Sequence, residues 1–399
     1  MQGAAPLRRL PGAVRPLQGA DVRFHPLRVR AVEPVAEDAV AVTFEVPPGL
    51  YGVFRHTPGQ HVTLRRAAAD GTGGTGGTGG TEVRRTYSVC APAVAPPAAP
   101  VLRIGVRLVA GGVFSAYAVK ELAAGDTVEV SPPTGRFTLR PRPGRFAAVV
   151  GGSGITPVLS MAATLLAERP DARFHLVRCD RTAASAMFLD EAAELKDRHP
   201  DRFQLVHLLS REERRTGPPT GRPDTGRLTA LLPALLPVAD VGGWFLCGPH
   251  GLVRAAERAL AALGVPAAAV HQEIFHVDEP ADGTDGTGAA DTAVRQAVPA
   301  PAPAPAPGGT ELTAVLGGRR GSWTAGAGET LLETVLRHRP DAPYACRGGV
   351  CGTCRARLVS GEVRMDRHFA LEAGEVSAGY VLTCQSHPVT GAVEVDFDS

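Results

Sequence analysis

Three cysteines, Cys346, Cys351 and Cys354, fall within nine residues of the stretch YACRGGVCGTCRARLVSGEV, Tyr344 to Val363, in a chain with only seven cysteines among 399 residues. So few thiols in so long a chain make no disulfide scaffold, and their clustering suits a metal site in a reducing compartment. Three thiolates do not complete a four-coordinate site. The fold must therefore return a fourth ligand to this loop, and Cys384 in GYVLTCQSHP is the candidate.

The spacing Cys-x4-Cys-x2-Cys followed by a distant fourth cysteine belongs to plant-type [2Fe-2S] ferredoxins. Gly348, Gly349 and Gly352 fit that reading, because a loop wrapped around a cluster needs permissive backbone and close approach of N–H groups to sulfur. Two other readings stand beside it: a structural zinc, which favours paired short spacings, and reduced spectator thiols like Cys90, Cys179 and Cys247 elsewhere in the chain. A [2Fe-2S] cluster holds one electron and makes or breaks no bond itself. The remaining 300 or so residues should then contain an electron source.

Length alone suggests two or three domains, and the pattern of the chain divides it. Residues 1–22 read as a disordered tail. Residues 23–141 carry short strand-like runs (VAVTFEV, QHVTLRR, VLRIGVRLV, DTVEVSPP) between Pro and Gly turns, the pattern of a small antiparallel β-barrel. Its loop ADGTGGTGGTGGTE, Ala69 to Glu82, can bury nothing and reads as a flexible insertion. Over 142–278 apolar runs alternate with helical segments, the pattern of a parallel α/β sheet. Residues 279–309 read as a linker, whose PAPAPAPAP run should be an extended spacer of roughly 28 Å. Residues 310–399 form a third, smaller α+β unit around the cysteines.

Two stretches carry binding chemistry. In RRTYSV, Arg85 can meet a phosphate bidentately, Tyr87 can lie against a flat ring and Ser88 can hydrogen-bond its edge. Downstream, Gly111 and Gly112 ahead of Ser115 could offer backbone N–H groups to a diphosphate, and Gly112, Val113, Phe114 and Ser115 are candidate cofactor-binding residues. In VVGGSGITP, the glycines Gly151, Gly152 and Gly154, with Thr156 and Pro157, form a turn between a strand and a helix, where N–H groups and the helix dipole favour pyrophosphate. CGPHGLV, with Cys247, Gly248 and Pro249, stands at the end of a later strand. Arg181 and Arg211 are candidates for reading a 2′-phosphate, which tilts the donor from NADH toward NADPH; each is equally explained as surface charge.

The order of these motifs resembles the ferredoxin–NADP reductase superfamily, over Phe24 to His276. That resemblance implies a barrel binding FAD, with Arg85 and Ser115 at the flavin phosphate and Tyr87 and Ser88 at the isoalloxazine. It implies a nicotinamide dinucleotide on the α/β unit, bordered by Cys247, Gly248, Pro249 and Thr156, with Ser88 and Cys247 where the hydride passes. Phe275 in QEIFH matches the family's terminal aromatic near the flavin, and Ala91 departs from the pattern, since the family often has a hydroxyl there. Over the last 90 residues, with a β-grasp [2Fe-2S] domain after the reductase, the sequence resembles the family of reductase components of ring-1,2-phenylacetyl-CoA epoxygenase. The implied partner is a diiron oxygenase. Other readings are a reductase for another aromatic-ring or alkane oxygenase, a non-catalytic electron-transfer component, and a zinc-stapled interaction module.

Charge narrows the partners further. With 42 basic against 40 acidic residues and no basic block interleaved with aromatics, nucleic acid is not an expected ligand. Prolines interrupt the amino-terminal stretch where a signal core would be apolar, so a cytoplasmic protein without a membrane span is expected. The exposed rim of the cysteine loop, with Arg347 and Arg355, is where an oxygenase contact is expected.

Overall fold

The computed structural model describes residues 23–67, 82–109, 112–213, 220–276, 294–298, 309–344, 346–371 and 373–399. The tail, the Gly-Gly-Thr loop and most of the linker, its Pro-Ala run included, lie outside the described residues.

Six strands form the first sheet: β1 His25–Ala36, β2 Ala39–Glu45, β3 His61–Ala67, β4 Glu82–Ser88, β5 Leu102–Arg107 and β6 Thr127–Val130. They run antiparallel in the order β4-β3-β6-β1-β2-β5. Side-chain alternation sets the faces, since Leu27 and Val29 are buried while Arg28 and Arg30 between and beyond them are exposed. A bridge from Val89, just past β4, to Ile104 of β5 brings the two edge strands together, so the sheet closes as a barrel. Beside α1, Tyr51–Phe54, the barrel carries a helix that the strand-rich sequence does not announce, α2, Val113–Lys120. Its eight residues are too few for a 3.6-residue period to stand out, and burial of Phe114 and Ala118 against the barrel holds it in place.

The second sheet is wholly parallel, in the order β11-β10-β7-β8-β9, from β7 Gly144–Gly151, β8 Ala172–Asp180, β9 Phe203–Leu209, β10 Val241–Pro249 and β11 Val270–His276. Both faces are covered, which is why β7 reads as an unbroken apolar run rather than an alternating one. Phe146, Ala148 and Val150 pack with α3, Ile155–Glu168. Ala147 and Val149 point the other way, into the core shared with α5, Thr225–Leu235, and α6, His250–Ala262. The helix α4, Leu189–Arg198, lies against β9. Pro233 inside α5 explains why that helix is hard to read from sequence.

The third sheet is mixed: β12 Val294–Val298, β13 Thr310–Leu316, β14 Arg319–Ala325, β15 Arg355–Met365, β16 Tyr380–Leu382, β17 Ser386–Pro388 and β18 Ala392–Asp396. Gly317 and Gly318, at φ +60° and +70°, make the two-residue turn of the β13–β14 hairpin, a conformation that glycine adopts without penalty. The helix α7, Leu331–His338, starts with a capping box between Thr330 and Glu333. A short helix, α8, Ala373–Ser377, follows the cysteine loop. The strand β12 lies within the expected linker and pairs antiparallel with β15, fastening five of its residues to this sheet. Among the described residues no helix is long and apolar enough to cross a membrane.

Candidate active site and cluster loop

In the parallel sheet the chain runs outward through β7, β8 and β9 and then returns to place β10 on the other side of β7. Open α/β sheets bind ligands beyond the carboxyl ends of the strands at such a reversal. Two glycine turns meet there. A Cβ at Gly154 would stand 2.2 Å from the carbonyl oxygen of Cys247, and one at Gly248, φ +144°, would stand 2.8 Å from that of Gly151. Only glycine lets the two turns approach backbone to backbone.

Over this crevice opens a cavity of about 830 Å³, within the range of ligand sites. All three sheets contribute to its wall. From the barrel come Arg85, Thr86, Tyr87 and Ser88 of β4; from the parallel sheet Gly151, Gly152, Thr156, Arg181, Gly248, Pro249 and Phe275; from the third unit Cys346, Val350 and Cys351. Twelve of the residues singled out from sequence thus share one surface.

The others stand nearby with different duties. Ser115 turns back on its own segment, its Oγ accepting from the Val109 N–H at 3.1 Å and donating to the Gly112 carbonyl at 3.1 Å. Phe114 lies in the barrel core, its ring 5.7 Å from that of Tyr87, and Val113 is exposed. Gly154 and Pro157 are packed at the start of α3. Cys247 is wholly buried behind the wall. Arg211 is exposed and outside the cavity lining, whereas Arg222, which no sequence motif marks, lies in the lining with Arg181 and Ser210.

Glu273 joins the two residues expected at the hydride-transfer point. It pairs in register with Cys247 across β10 and β11, and Ser88 hydrogen-bonds its carboxyl. Burial pushes that carboxyl up to about 8, against the smaller opposing effect of the Ser88 bond. Burial, and then the nearby Glu273, pushes the Cys247 thiol well up, so Cys247 is a neutral thiol behind the wall. His61 pairs in register with Ser88 across β3 and β4, and its Nδ1 is 3.8 Å from Glu273 Oε1. Burial lowers His61 to about 4, so the ring is neutral at ordinary pH. Glu273 Oε2 is buried without a hydrogen-bond partner, a polar atom in the cavity wall left for a ligand to satisfy. An acidic residue two places before Phe275 was the one available sequence signal for this group.

Above the glycine turn lies Arg107 from β5. Its Nε donates to Asp38 Oδ1 at 3.1 Å, its Nη2 reaches the Ser185 carbonyl, and its Nη1 would be 2.9 Å from a Cβ on Gly152. A guanidinium thus stands beside the glycine turn between the first two sheets, already paired with Asp38. At the carboxyl end of β8, where an unencumbered acid would hydrogen-bond a ribose 2′-hydroxyl, Asp180 is already held by Arg178 Nε and His207 Nε2, both at 2.8 Å. Burial raises its carboxyl, but the bonds from His207 and Arg178 outweigh that and leave it below the usual range.

The four cysteines of the third unit stand in two couples, although among the described residues no three metal-ligating side chains are drawn close enough to hold an ion as they stand. Cys346 and Cys351 hydrogen-bond each other, as do Cys354 and Cys384, so the thiols form two adjacent pairs, the donor set that two irons sharing four cysteines require. The Gly348 N–H donates to Cys346 Sγ at 3.3 Å, and Gln385 Nε2 ties the Cys384 turn to the loop through the Arg347 carbonyl at 2.8 Å. Arg347, Gly349 and Gly352 all have positive φ, which turns successive N–H groups inward.

Residues 149–258 match the oxidoreductase NAD-binding domain family, and residues 317–389 match the 2Fe-2S iron-sulfur cluster binding domain family. One component of the 1,2-phenylacetyl-CoA epoxidase of Escherichia coli K12 is 38% identical over 380 residues, covering 94% of this chain and 98% of that one. The ferredoxin reductase component of the 3-ketosteroid-9-alpha-monooxygenase of Rhodococcus rhodochrous is 30% identical over 371 residues, covering 93% and 96%. Among solved structures, phthalate dioxygenase reductase superposes with a TM-score of 0.56 at 24% identity, covering 94% of this chain and 98% of that one, a likeness of fold.

Proposed function

The chain belongs to the ferredoxin–NADP reductase superfamily, in the branch that ends in a plant-type [2Fe-2S] domain, and from that premise we propose that it carries electrons from NADPH to the diiron oxygenase of a phenylacetyl-CoA epoxygenase. It is an NAD(P)H-dependent oxidoreductase using FAD and a [2Fe-2S] cluster, the reductase component of an oxygenase system. One observation carries the reading: a single cavity has the Arg85–Ser88 strand, the Gly151–Gly152 turn with Gly248 and Pro249, and the Cys346 and Cys351 thiols in its wall.

When bound, the flavin takes electrons from the nicotinamide as a pair and releases them singly to the cluster. The chain's own residues hold the reactants and the proton. Arg85 would hold a flavin phosphate, and Tyr87 would lie against the ring. The Ser88 hydroxyl would hydrogen-bond the ring edge and could pass a proton to or from the Glu273 carboxyl, to which it is already bonded. Gly151 and Gly152 cradle the dinucleotide pyrophosphate with Arg107 above them. Cys346, Cys351, Cys354 and Cys384 would hold the cluster, the first two from the cavity lining. The flavin domain is 23–141, the nicotinamide domain 142–278 and the cluster domain 310–399, joined through 279–309. The reduced thiols suit the cytoplasm.

Anaerobic titration with NADPH tests the reading. Flavin absorbance should bleach and the EPR signal of a one-electron-reduced [2Fe-2S] cluster should rise within the same experiment. A colourless protein, or one whose cluster NADPH leaves oxidised, would sink it. The 3-ketosteroid-9-alpha-monooxygenase relative, matching over 93% of the chain, keeps a second acceptor class in view; reconstitution with each oxygenase decides between them.

The choice of NADPH rests on Arg181 and Arg222 in the lining and on an Asp180 already occupied by His207 and Arg178. Arg222→Ala and Arg181→Ala should each raise the KM for NADPH about tenfold, the loss of one charge-assisted phosphate contact, while the KM for NADH stays unchanged. Arg211→Ala should affect neither. Steady-state kinetics with both donors reads the difference, and equal effects on NADH would remove the 2′-phosphate role.

A further inference from the structure

The cluster unit is seated on the rest of the chain by contacts outside the cavity, and they surround the cluster loop. Arg136, in the loop between β6 and β7, pairs with Glu375 of α8 and donates to the Ala370 carbonyl at 3.1 Å. Glu375 is also held by Arg355, the residue after the ligand Cys354, at 2.7 Å. Tyr344, two residues before Cys346, lies between Arg84 of β4, 4.8 Å from its ring centre, and Arg347, 4.6 Å away. The ring of Phe369 rests on that of His250 at the start of α6, with centroids 4.6 Å apart.

The seat has a small apolar part, Val350 and Phe369 against the core of the parallel sheet, and a polar part built unlike the cores of the three sheets. An Arg136 side chain that is 55% exposed, paired to a carboxylate, and cation–π contacts at an edge are individually weak, and salt screens the ion pairs. Interfaces of that kind open and close, unlike large apolar ones. Yet Glu375 connects the barrel through Arg136 to the strand that begins beside Cys354 through Arg355, so the ion pair fixes how the cluster loop faces the flavin wall.

We propose that Arg136 and Glu375, with Tyr344 seated between Arg84 and Arg347, form a reversible clasp that positions the cluster loop against the flavin site. Arg136 is a positioning residue for electron entry into the cluster and has no part in hydride transfer. This rests on the reductase reading above.

The test uses the holoprotein. Arg136→Glu should reduce ferricyanide with NADPH within about twofold of the parent rate, because that acceptor draws on the flavin. Reduction of its own cluster, followed by stopped-flow, should slow at least about tenfold, the scale on which a misplaced reactant costs rate. Small-angle X-ray scattering should show a larger radius of gyration, a readout independent of turnover. Arg136→Lys, which keeps the cation, should behave like the parent. Raising ionic strength should slow cluster reduction in the parent and leave Arg136→Glu unaffected. Cluster reduction at the parent rate with an unchanged radius of gyration would overturn the clasp, and so would equal slowing of flavin and cluster. If instead the parent cluster itself stays oxidised with NADPH, the failure belongs to the reductase reading.

Discussion

Cys384→Ser is expected to yield a protein that keeps its flavin and loses its cluster. Cys384 stands in the turn Thr383–Gln385 after β16, 6% exposed, paired with Cys354 in the core of the third sheet. Three thiolates leave one iron under-coordinated, and serine is a harder, far less acidic ligand. The [2Fe-2S] absorption and EPR signals should vanish. Reduction of cytochrome c, a one-electron acceptor served by the cluster, should fall about 100-fold or more. Ferricyanide reduction, served by the flavin, should stay within about twofold of the parent. A full cluster signal in Cys384→Ser would exclude Cys384 as a ligand and reopen the search for the fourth.

The same change bears on folding. The core of this small unit includes Cys354 and Cys384 themselves beside Leu331, Val335 and Leu382. A domain of about 90 residues that draws part of its core from metal ligands should lose cooperativity without the metal. A separate, lower melting step for the Cys384→Ser chain is the expected signature. Cys90→Ala and Cys179→Ala, whose thiols stand in the first two units, should leave cluster signals untouched.

What could be read from sequence is what local physics imposes. A cluster loop writes its ligands into a short spacing, and a strand, glycine turn and helix in succession, as at Val149–Pro157, announce a phosphate site because the glycines are needed for backbone approach. What stays hidden there is what only distant chain segments create. Glu273 gains its meaning from Ser88, 185 positions earlier in the chain, and His61 gains its meaning from both. Arg107 is one of many strand arginines until the fold sets it over Gly152. Arg211 is the arginine the sequence singles out, yet Arg222 is the one in the cavity lining, a placement no local pattern encodes. The strand β12 hides between a Gly-rich segment and a Pro-Ala run, where composition outweighs a five-residue signal.

Glu273→Gln should reshape both the pH dependence of stability and the rate of flavin reduction. In the folded chain Glu273 holds its proton up to about pH 8, well above the unfolded value of 4.5. Its contribution to stability is therefore complete below pH 4.5 and is lost as pH rises through 8. His61 has the opposite sign. Its value falls from 6.5 to about 4, so its contribution is present above pH 6.5 and lost as pH falls toward 4. Between pH 6.5 and 8 only Glu273 of this pair titrates, and the parent should lose stability there, on the order of 2 kcal/mol over that interval. Denaturant midpoints at the two pH values measure the loss, and Glu273→Gln, the same shape without the titration, should abolish it. The variant also deprives Ser88 of a partner that can take up or deliver a proton, so ferricyanide reduction by NADPH should fall roughly 100-fold and lose its inflection near pH 8. A variant that keeps the parent's pH profile in both measurements would show that Glu273 neither titrates in this range nor serves Ser88.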